Sequence, residues 1–168
     1  GGQDLGDAAK ENFGFKKSER LPENIAYLKI SSFYDPLLSA PSIAAHMSRV
    51  ADAAALVIDL RGNGGGSPKA VALVSAYLFD DKPVHLNDSV TRGWNRIESN
   101  WTNPVPSDHQ FGSRKPVFIL IDKETFSAAE NLAYTLQALK RATILVEKSK
   151  GGAHGARGFK LDEHFLAT

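Results

Sequence analysis

The stretch ALVIDLRGNGGGSP, residues 55–68, carries an apolar run, a glycine-rich turn and a proline in the order of a strand, a turn and a helix. Residues 55–60 predict a buried strand, because a short apolar run bounded by a turn signal is typical of one. Pro68 is favoured in the first turn of a helix, and apolar residues follow it at helical spacing from Val71 to Leu78. The stretch therefore predicts a strand-to-helix turn that contains four glycines.

The same alternation extends along the chain on both sides of this stretch. Further buried strands are predicted at residues 25–30, 116–122 and 143–147. A helical apolar stripe spans residues 43–54, and another helix is predicted from residue 127 to about residue 140. Residues 83–114 lose this rhythm and carry turn-forming glycine and proline, which predicts a hairpin or an excursion over a cleft. The β-α-β-α order predicts an α/β fold.

The composition narrows the class of protein. The chain has 168 residues, 42% of them hydrophobic, which is enough for one substantial core and too few for two typical domains. Its 20 basic and 19 acidic residues give a net charge of +1, so no broad positive field favours nucleic acid as a partner. Cysteine is absent and the five histidines show no paired ligand spacing, so we predict no disulfide, no metal site and no cofactor.

The two ends of the chain suggest flanking sequence. Residues 1–22 are polar and contain glycine, which predicts a linker or the end of a preceding domain. We expect a single core domain over residues 23–168. The chain stops at Thr168 without a capping element, so this domain is expected to be truncated at its C-terminus.

Ser127 stands where the predicted strand at residues 116–122 passes into a helix, in the sequence TFSAAE (residues 125–130). Two roles are open for its hydroxyl. With Glu130 three residues later it fits a capping box, in which serine and glutamate satisfy N–H groups at the start of a helix. If the hydroxyl instead faces a cleft, the unpaired N–H groups of the helix N-terminus favour an oxyanion, and Ser127 is a nucleophile. The Gly-X-Ser-X-Gly pattern of the α/β-hydrolases does not surround this serine.

The glycine turn at residues 62–66 also admits two roles. Its N–H groups can hold an oxyanion next to Ser127, or they can cradle a phosphate. Ser67 replaces the last glycine of the dinucleotide-binding pattern, and no Gly-Lys-Ser/Thr sequence follows, so the oxyanion role is favoured.

Three more residues are candidates. His154 lies in a glycine loop directly after a core strand, where its imidazole is either a general base for Ser127 or a solvated side chain. Trp94 and Trp101 lie in the irregular stretch 83–114, where they either line a substrate groove or anchor a long loop. The sequences NDS and NWT, which begin at Asn87 and Asn100, match the N-glycosylation pattern, but two such matches often arise by chance.

These motifs together resemble a known family. LVIDLRGNGGG (residues 56–66) joined to TFSAAE, followed by KRA (residues 140–142) and Glu147, is similar to the C-terminal processing, or tail-specific, peptidases. The resemblance is greatest to their branch related to interphotoreceptor retinoid-binding protein, and it runs from about residue 25 to residue 159. It implies a crotonase/Clp-protease-like core of repeated β-β-α units, with Ser127 as the nucleophile. It also implies an oxyanion hole made by the N–H of Ala128 and that of Gly64 or Gly65.

One departure from the family pattern concerns the general base. A tail-specific peptidase pairs its serine with a lysine 25 residues later, and Gly152 stands at that position here. The GGAH sequence that ends at His154 resembles the retinoid-binding-protein-like branch. His154 is therefore the base that we expect, with Glu130 capping the helix and orienting the site.

The leading hypothesis is a serine-type peptidase domain that cleaves unstructured or C-terminal peptide segments, so that its partner is a peptide or an unfolded protein substrate. The alternative is a non-catalytic binding module on the same fold, for peptide or a small apolar ligand, and Gly152 motivates it. The resemblance implies a periplasmic, cell-envelope or secreted location. It leaves the oligomeric state open.

Overall fold

A five-stranded mixed sheet is the centre of the structure. The computed structural model describes residues 5–91, 96–153, 159–160 and 166–167. The strands are β1 (Phe15–Leu21), β2 (Ile25–Ile30), β3 (Ala55–Asp59), β4 (His85–Thr91), β5 (Arg96–Trp101), β6 (Val117–Ile121), β7 (Thr143–Val146), β8 (Phe159–Lys160) and β9 (Leu166–Ala167). The helices are α1 (Leu5–Lys10), α2 (Pro36–Val50), α3 (Pro68–Ala76) and α4 (Ala128–Ala138). Within these ranges, every helix is too short or too polar to traverse a lipid bilayer.

The main sheet has the strand order β1-β2-β3-β6-β7. β1 runs antiparallel to β2, whereas β2, β3, β6 and β7 are parallel to one another. Each step between parallel strands passes through a helix, and α3 packs against both α2 and α4. The predicted α/β fold is therefore confirmed. The β-β-α order expected from the family resemblance is formed by β1, β2 and α2.

The core lies between one face of the sheet and the helices. Burial alternates along β2, where Ala26, Leu28 and Ile30 are buried and the residues between them are only partly covered. β3 follows the same pattern, with Leu56 and Ile58 completely buried. Because successive side chains of a strand point to opposite faces, one face of the sheet carries most of the apolar burial.

The N-terminal residues differ from the expected linker. Phe15–Leu21 is the edge strand of the main sheet, paired with β2 from Phe15 opposite Ile30 to Leu21 opposite Ile25. Phe15 is completely buried, while the charged residues that follow it stay partly or fully exposed. An edge strand accommodates such charges because one of its sides is unpaired, and the charges discourage pairing with other chains. The sheet therefore begins before residue 23, where we expected the core domain to start.

Strands β4 and β5 form a separate antiparallel hairpin. This is the hairpin predicted within residues 83–114. Leu86 of β4 is buried, and β4 packs on α4. The hairpin therefore stands beside the helix that begins after Ser127.

Arg141, which follows α4, joins three segments of the fold through main-chain carbonyls. Its side chain is buried, and Nε donates to the Leu78 carbonyl at 2.5 Å. Nη1 donates to the Lys115 carbonyl at 3.0 Å and Nη2 to the Gly112 carbonyl at 2.6 Å. One guanidinium thus ties the end of α3 and the segment before β6 to the end of α4.

We expect Arg141→Met to lower the free energy of unfolding by about 2–4 kcal/mol, because three carbonyls lose their donor inside the fold. Urea unfolding followed by circular dichroism measures the change. The matched control is the exposed neighbour in Lys140→Gln, for which we expect a change within about 0.5 kcal/mol. An Arg141→Met cost no larger than that of the control would contradict the structural role.

Candidate active site

Two strand-to-helix turns meet at one edge of the sheet. β3 and β6 are parallel neighbours, so their C-terminal ends lie side by side. The turn after β3 contains the glycines and leads into α3, and the turn after β6 leads through Ser127 into α4. The two motifs singled out in the sequence are therefore adjacent in space.

Side-chain hydrogen bonds fasten these turns to each other. The Gly62 N–H donates to Asp122 Oδ1 at 3.0 Å. The Thr125 hydroxyl, which is buried, donates to the Leu60 carbonyl at 3.0 Å. Each bond joins a residue of the glycine turn to one of the Ser127 turn, so neither turn can shift without the other.

Asn63 is the buried centre of the glycine turn. Its carbonyl accepts the Phe126 N–H at 2.9 Å, which is a third link between the turns. Its Nδ2 donates to the Ile30 carbonyl at 3.0 Å, and its Oδ1 accepts the Gly65 N–H at 2.8 Å. The side chain therefore connects β2 to both turns, and it engages the N–H of Gly65.

The backbone of Gly65 lies directly against the start of α4. A Cβ added at Gly65 would lie 2.8 Å from Ser127 Cβ and 2.9 Å from the nitrogen of Ala128, and φ of Gly65 is +99°. Only glycine fits such a position without strain. Among the described residues, the N–H groups of Ala128 and Gly64 have no hydrogen-bond partner. Two free donors thus lie near the Ser127 turn.

Ser127 has a backbone conformation that is uncommon for a residue with a side chain, with φ +53° and ψ −120°. Ser127 and Glu130 form a capping box in which the Ser127 N–H donates to Glu130 Oε2 at 2.8 Å. In the same box the Ser127 side chain faces the backbone N–H of Glu130, although this contact falls short of a full hydrogen bond. The box uses the hydroxyl oxygen only as an acceptor, so it does not engage the hydroxyl proton.

Glu130 is buried, and its carboxylate collects N–H groups from two segments. Besides Ser127, the Gly152 N–H donates to Oε2 at 2.8 Å and the Gly151 N–H donates to Oε1 at 2.5 Å. Burial opposes ionisation of Glu130, but hydrogen bonds from the Ser149 hydroxyl and from these N–H groups outweigh it and lower the pKa of the carboxyl. The carboxylate therefore anchors the loop around residue 151 to the start of α4.

Ser127 lines a cleft of about 160 Å³. Its other walls come from α3, the hairpin, α4 and the loop after β7, through Pro68, Val71, Ala72, Leu86, Asn87, Ser89, Asn100, Ala128, Asn131 and Ala153. A groove of about 790 Å³ shares part of this wall and extends to Trp101, which is half exposed there. In the described part of the chain, no group of three or more histidine or acidic side chains is arranged to hold a metal ion.

Two of the predicted site residues, His154 and Trp94, lie outside the described residues. Ala153, the neighbour of His154 in the chain, lines the Ser127 cleft. Gly152 lies on the ring of Phe126, and a Cβ at Gly152 would overlap that ring. A side chain at the position where the family pattern has lysine would therefore displace Phe126.

A charged cluster holds the start of the glycine turn. Buried Asp59 accepts hydrogen bonds from the Tyr27 hydroxyl (2.6 Å), Lys29 Nζ (3.2 Å) and Arg61 Nη2 (2.7 Å). Burial disfavours the Asp59 carboxylate, but the bonds from Arg61 and Tyr27 outweigh it and hold the pKa of Asp59 well below its usual range. Burial and the bond to Asp59 raise the pKa of Tyr27 to about 12. Arg61 is thus an ion-pair partner of Asp59.

Three asparagines of the cleft wall were not predicted as site residues. Asn100 Nδ2 donates to Asn87 Oδ1 at 2.9 Å, and Asn87 Nδ2 donates to Asn131 Oδ1 at 3.3 Å and to Thr135 Oγ1 at 3.2 Å. The glycosylation pattern drew attention to Asn87 and Asn100, but both amides are used inside the fold. Asn131 did carry a signal, because a residue four positions after Ser127 lies on the same face of the helix.

We expect the free energy of unfolding of Asp59→Asn to fall less steeply than that of the parent as the pH is lowered. Because the pKa of Asp59 is lowered in the folded state, its contribution is present above the unfolded value of about 4 and is lost as pH falls below it. Urea unfolding between about pH 7 and pH 3 should show a steeper loss for the parent than for Asp59→Asn. Asp108→Asn changes an exposed aspartate and should keep the parent's slope. Parallel profiles for the parent and Asp59→Asn would contradict this.

Gly65→Ala is expected to cost about 2–4 kcal/mol of unfolding free energy, because its Cβ meets the Ser127 turn and alanine is strained at this φ. Gly64→Ala is the matched control. A Cβ at Gly64 meets nothing within 4 Å, so we expect a change below about 1 kcal/mol. Thermal and urea unfolding of both variants measure the difference, and equal costs would show that the two turns are not in contact.

Comparison with known proteins identifies relatives. The model of peptidase family S41 matches residues 24–167. The chain is 30% identical over 141 residues to the chloroplastic carboxyl-terminal-processing peptidase 2 of Arabidopsis thaliana. It is 29% identical over 130 residues to the tail-specific protease of Haemophilus influenzae. These alignments cover 83% and 77% of this chain but only 26% and 18% of the two relatives.

Solved structures share the fold. A putative S41 protease from Bacteroides fragilis superposes with a TM-score of 0.71 at 20% identity, covering 91% of this chain and 43% of that one. The photosystem II D1 C-terminal processing protease superposes with a TM-score of 0.62 at 22% identity, covering 79% of this chain and 34% of that one. Since the family model matches nearly the whole sequence, the chain belongs to peptidase family S41.

Proposed function

We propose that this chain is the catalytic core of a serine peptidase that cleaves unstructured or C-terminal segments of proteins. The observation that carries the proposal is the backbone of Ser127, whose φ of +53° places its side chain at the start of α4 in a cleft. A helix-capping residue ordinarily has extended backbone angles, so capping does not account for this conformation. Strain of this kind costs about 1–3 kcal/mol and clusters at active sites.

In the proposed reaction, Ser127 Oγ attacks the carbonyl carbon of the scissile peptide bond and its proton passes to the imidazole of His154. The carbonyl oxygen becomes an oxyanion that accepts hydrogen bonds from the Ala128 N–H and from a glycine N–H. The C–N bond then breaks as the imidazolium protonates the departing amine. Water, deprotonated by the same imidazole, releases the acyl group and restores the Ser127 hydroxyl.

The structure favours one of the two predicted glycines. The N–H of Gly65 donates to Asn63 Oδ1, whereas that of Gly64 has no partner among the described residues. We therefore assign the second oxyanion donor to Gly64. The role of Gly65 is steric, since its lack of a side chain lets the glycine turn contact the start of α4.

The groove beside the cleft supports an extended peptide or an unfolded protein as substrate. It continues from the cleft wall to Trp101, whose half-exposed ring offers an apolar contact. Trp94 stays a prediction from the sequence, as does His154. We expect the protein to act in the periplasm, in the cell envelope or after secretion, as the family resemblance implies.

A second candidate function is a non-catalytic binding module for peptide or a small apolar ligand. It is favoured by Gly152, which stands where tail-specific peptidases carry lysine and which packs so closely on Phe126 that a side chain there would displace the ring. In that case the same cleft binds a ligand without cleaving it. Binding would then survive removal of the Ser127 hydroxyl.

The test is hydrolysis of a library of unstructured peptides with free C-termini, read by mass spectrometry. We expect Ser127→Ala to lose at least about 10³-fold of the parent's cleavage rate while unfolding at a similar temperature, because the nucleophile is gone and the fold is kept. Ser48→Ala, an exposed serine on α2, should cleave like the parent.

Each outcome separates the two functions. Equal cleavage by the parent and Ser127→Ala would remove Ser127 as the nucleophile. If folded parent and variant both fail to cleave, the binding module is favoured, and saturable binding of library peptides by Ser127→Ala should then be measurable.

A further inference from the structure

We propose that Asn131 binds the substrate by donating a hydrogen bond from its side-chain amide to a main-chain carbonyl of the peptide. The inference rests on the proposed function, because it places a peptide in the Ser127 cleft. Asn131 lines this cleft and lies one helical turn after Ser127 on the same face of α4. Its side chain is partly buried, so a bound peptide would meet it away from bulk water.

The asparagines of the hairpin orient the amide of Asn131. Asn87 and Asn100 are cross-strand partners on β4 and β5, and Asn100 Nδ2 donates to Asn87 Oδ1 at 2.9 Å. This bond turns the Nδ2 group of Asn87 toward α4, where it donates to Asn131 Oδ1 at 3.3 Å and to Thr135 Oγ1 at 3.2 Å. The oxygen of the Asn131 amide is therefore engaged.

The nitrogen of the same amide is left with its donors unused. Among the residues that the structure describes, Asn131 Nδ2 has no hydrogen-bond partner. A partly buried donor gains most when a ligand supplies an acceptor, because it has already lost part of its hydration. The amide oxygen of Asn131 thus accepts a hydrogen bond from the hairpin, and the N–H donors of the same amide stay available in the cleft.

The lining of the cleft indicates which acceptor fits. Among the described residues that line it there is no lysine, arginine, aspartate or glutamate, and Pro68, Val71 and Leu86 supply apolar surface. Such a wall suits a neutral acceptor flanked by apolar groups, which is the chemistry of a peptide main chain. A carbonyl of the extended peptide, next to the carbonyl that Ser127 attacks, meets this description.

Two substitutions test separately the roles of the N–H donors and of the oxygen acceptor of the Asn131 amide. Asn131→Asp keeps an oxygen for Asn87 and loses the donors, and a negative charge in the first turns of a helix favours folding. Asn131→Ala removes both. Gln137→Glu makes the same amide-to-acid change at an exposed position on the same helix and serves as the control.

The experiment measures labelling of Ser127 by a small fluorophosphonate, which carries no peptide carbonyl, and protection from labelling by the aldehyde acetyl-Ala-Ala-Ala-al. For both Asn131 variants we expect the protecting concentration of aldehyde to rise about three- to tenfold, the loss of one hydrogen bond to a neutral acceptor. The labelling rate of each variant without aldehyde is measured in parallel, so that protection is compared relative to that variant's own unprotected rate. Gln137→Glu should match the parent in both measurements.

Three results would overturn the inference. Protection of both Asn131 variants at the parent's aldehyde concentration would show that the peptide does not use this amide. If protection were weaker for Asn131→Ala but normal for Asn131→Asp, the residue would act only through its contact with the hairpin, because the aspartate keeps that contact. Absence of labelling in a folded parent would contradict the proposed function itself, and with it the binding role of Asn131.

Discussion

The hydrogen bonds between the two strand-end turns are the constraint on which the rest of the site depends. Parallel pairing of β3 and β6 brings the glycine turn and the Ser127 turn to the same edge of the sheet, but pairing alone does not fix their separation. The links through Asn63, Thr125 and Asp122 do so. They hold the turns so closely that only glycine fits at position 65, and the free N–H of Ala128 then lies beside the glycine turn.

Much of the fold could be predicted because its strands are local apolar runs. The strands predicted at residues 25–30 and 55–60 are β2 and β3, and the hairpin was recognised from broken rhythm. β1 was missed since charges dominate it, and its membership in the sheet depends on pairing with β2, which no local pattern records. The start of α2 also differs, because Asp35 caps the helix and it begins at Pro36, before the predicted apolar stripe at residues 43–54.

Candidate site residues could be predicted where a local sequence feature marks them. They could not be predicted where they depend on contacts between separate segments. Ser127 was predicted from a strand-to-helix junction, which is a local feature, and Ala128 was predicted from the family resemblance. The distinction between Gly64 and Gly65 depends on a side-chain bond from Asn63, which the sequence does not reveal. The asparagine chain joins three separate elements, so its members resembled ordinary surface residues until the hairpin was placed beside α4.

One carboxylate couples the proposed nucleophile to the loop that precedes the proposed base. Glu130 accepts the N–H of Ser127 and the N–H groups of Gly151 and Gly152, so the start of α4 and this loop share a single anchor. A Cβ at Gly152 would overlap the Phe126 ring, so a lysine at this position would require that ring to move. The position of the Phe126 ring therefore fits the absence of the lysine. If the site is catalytic, its base must come from a different residue, and the chain continues from this loop through Ala153, which lines the cleft, to His154.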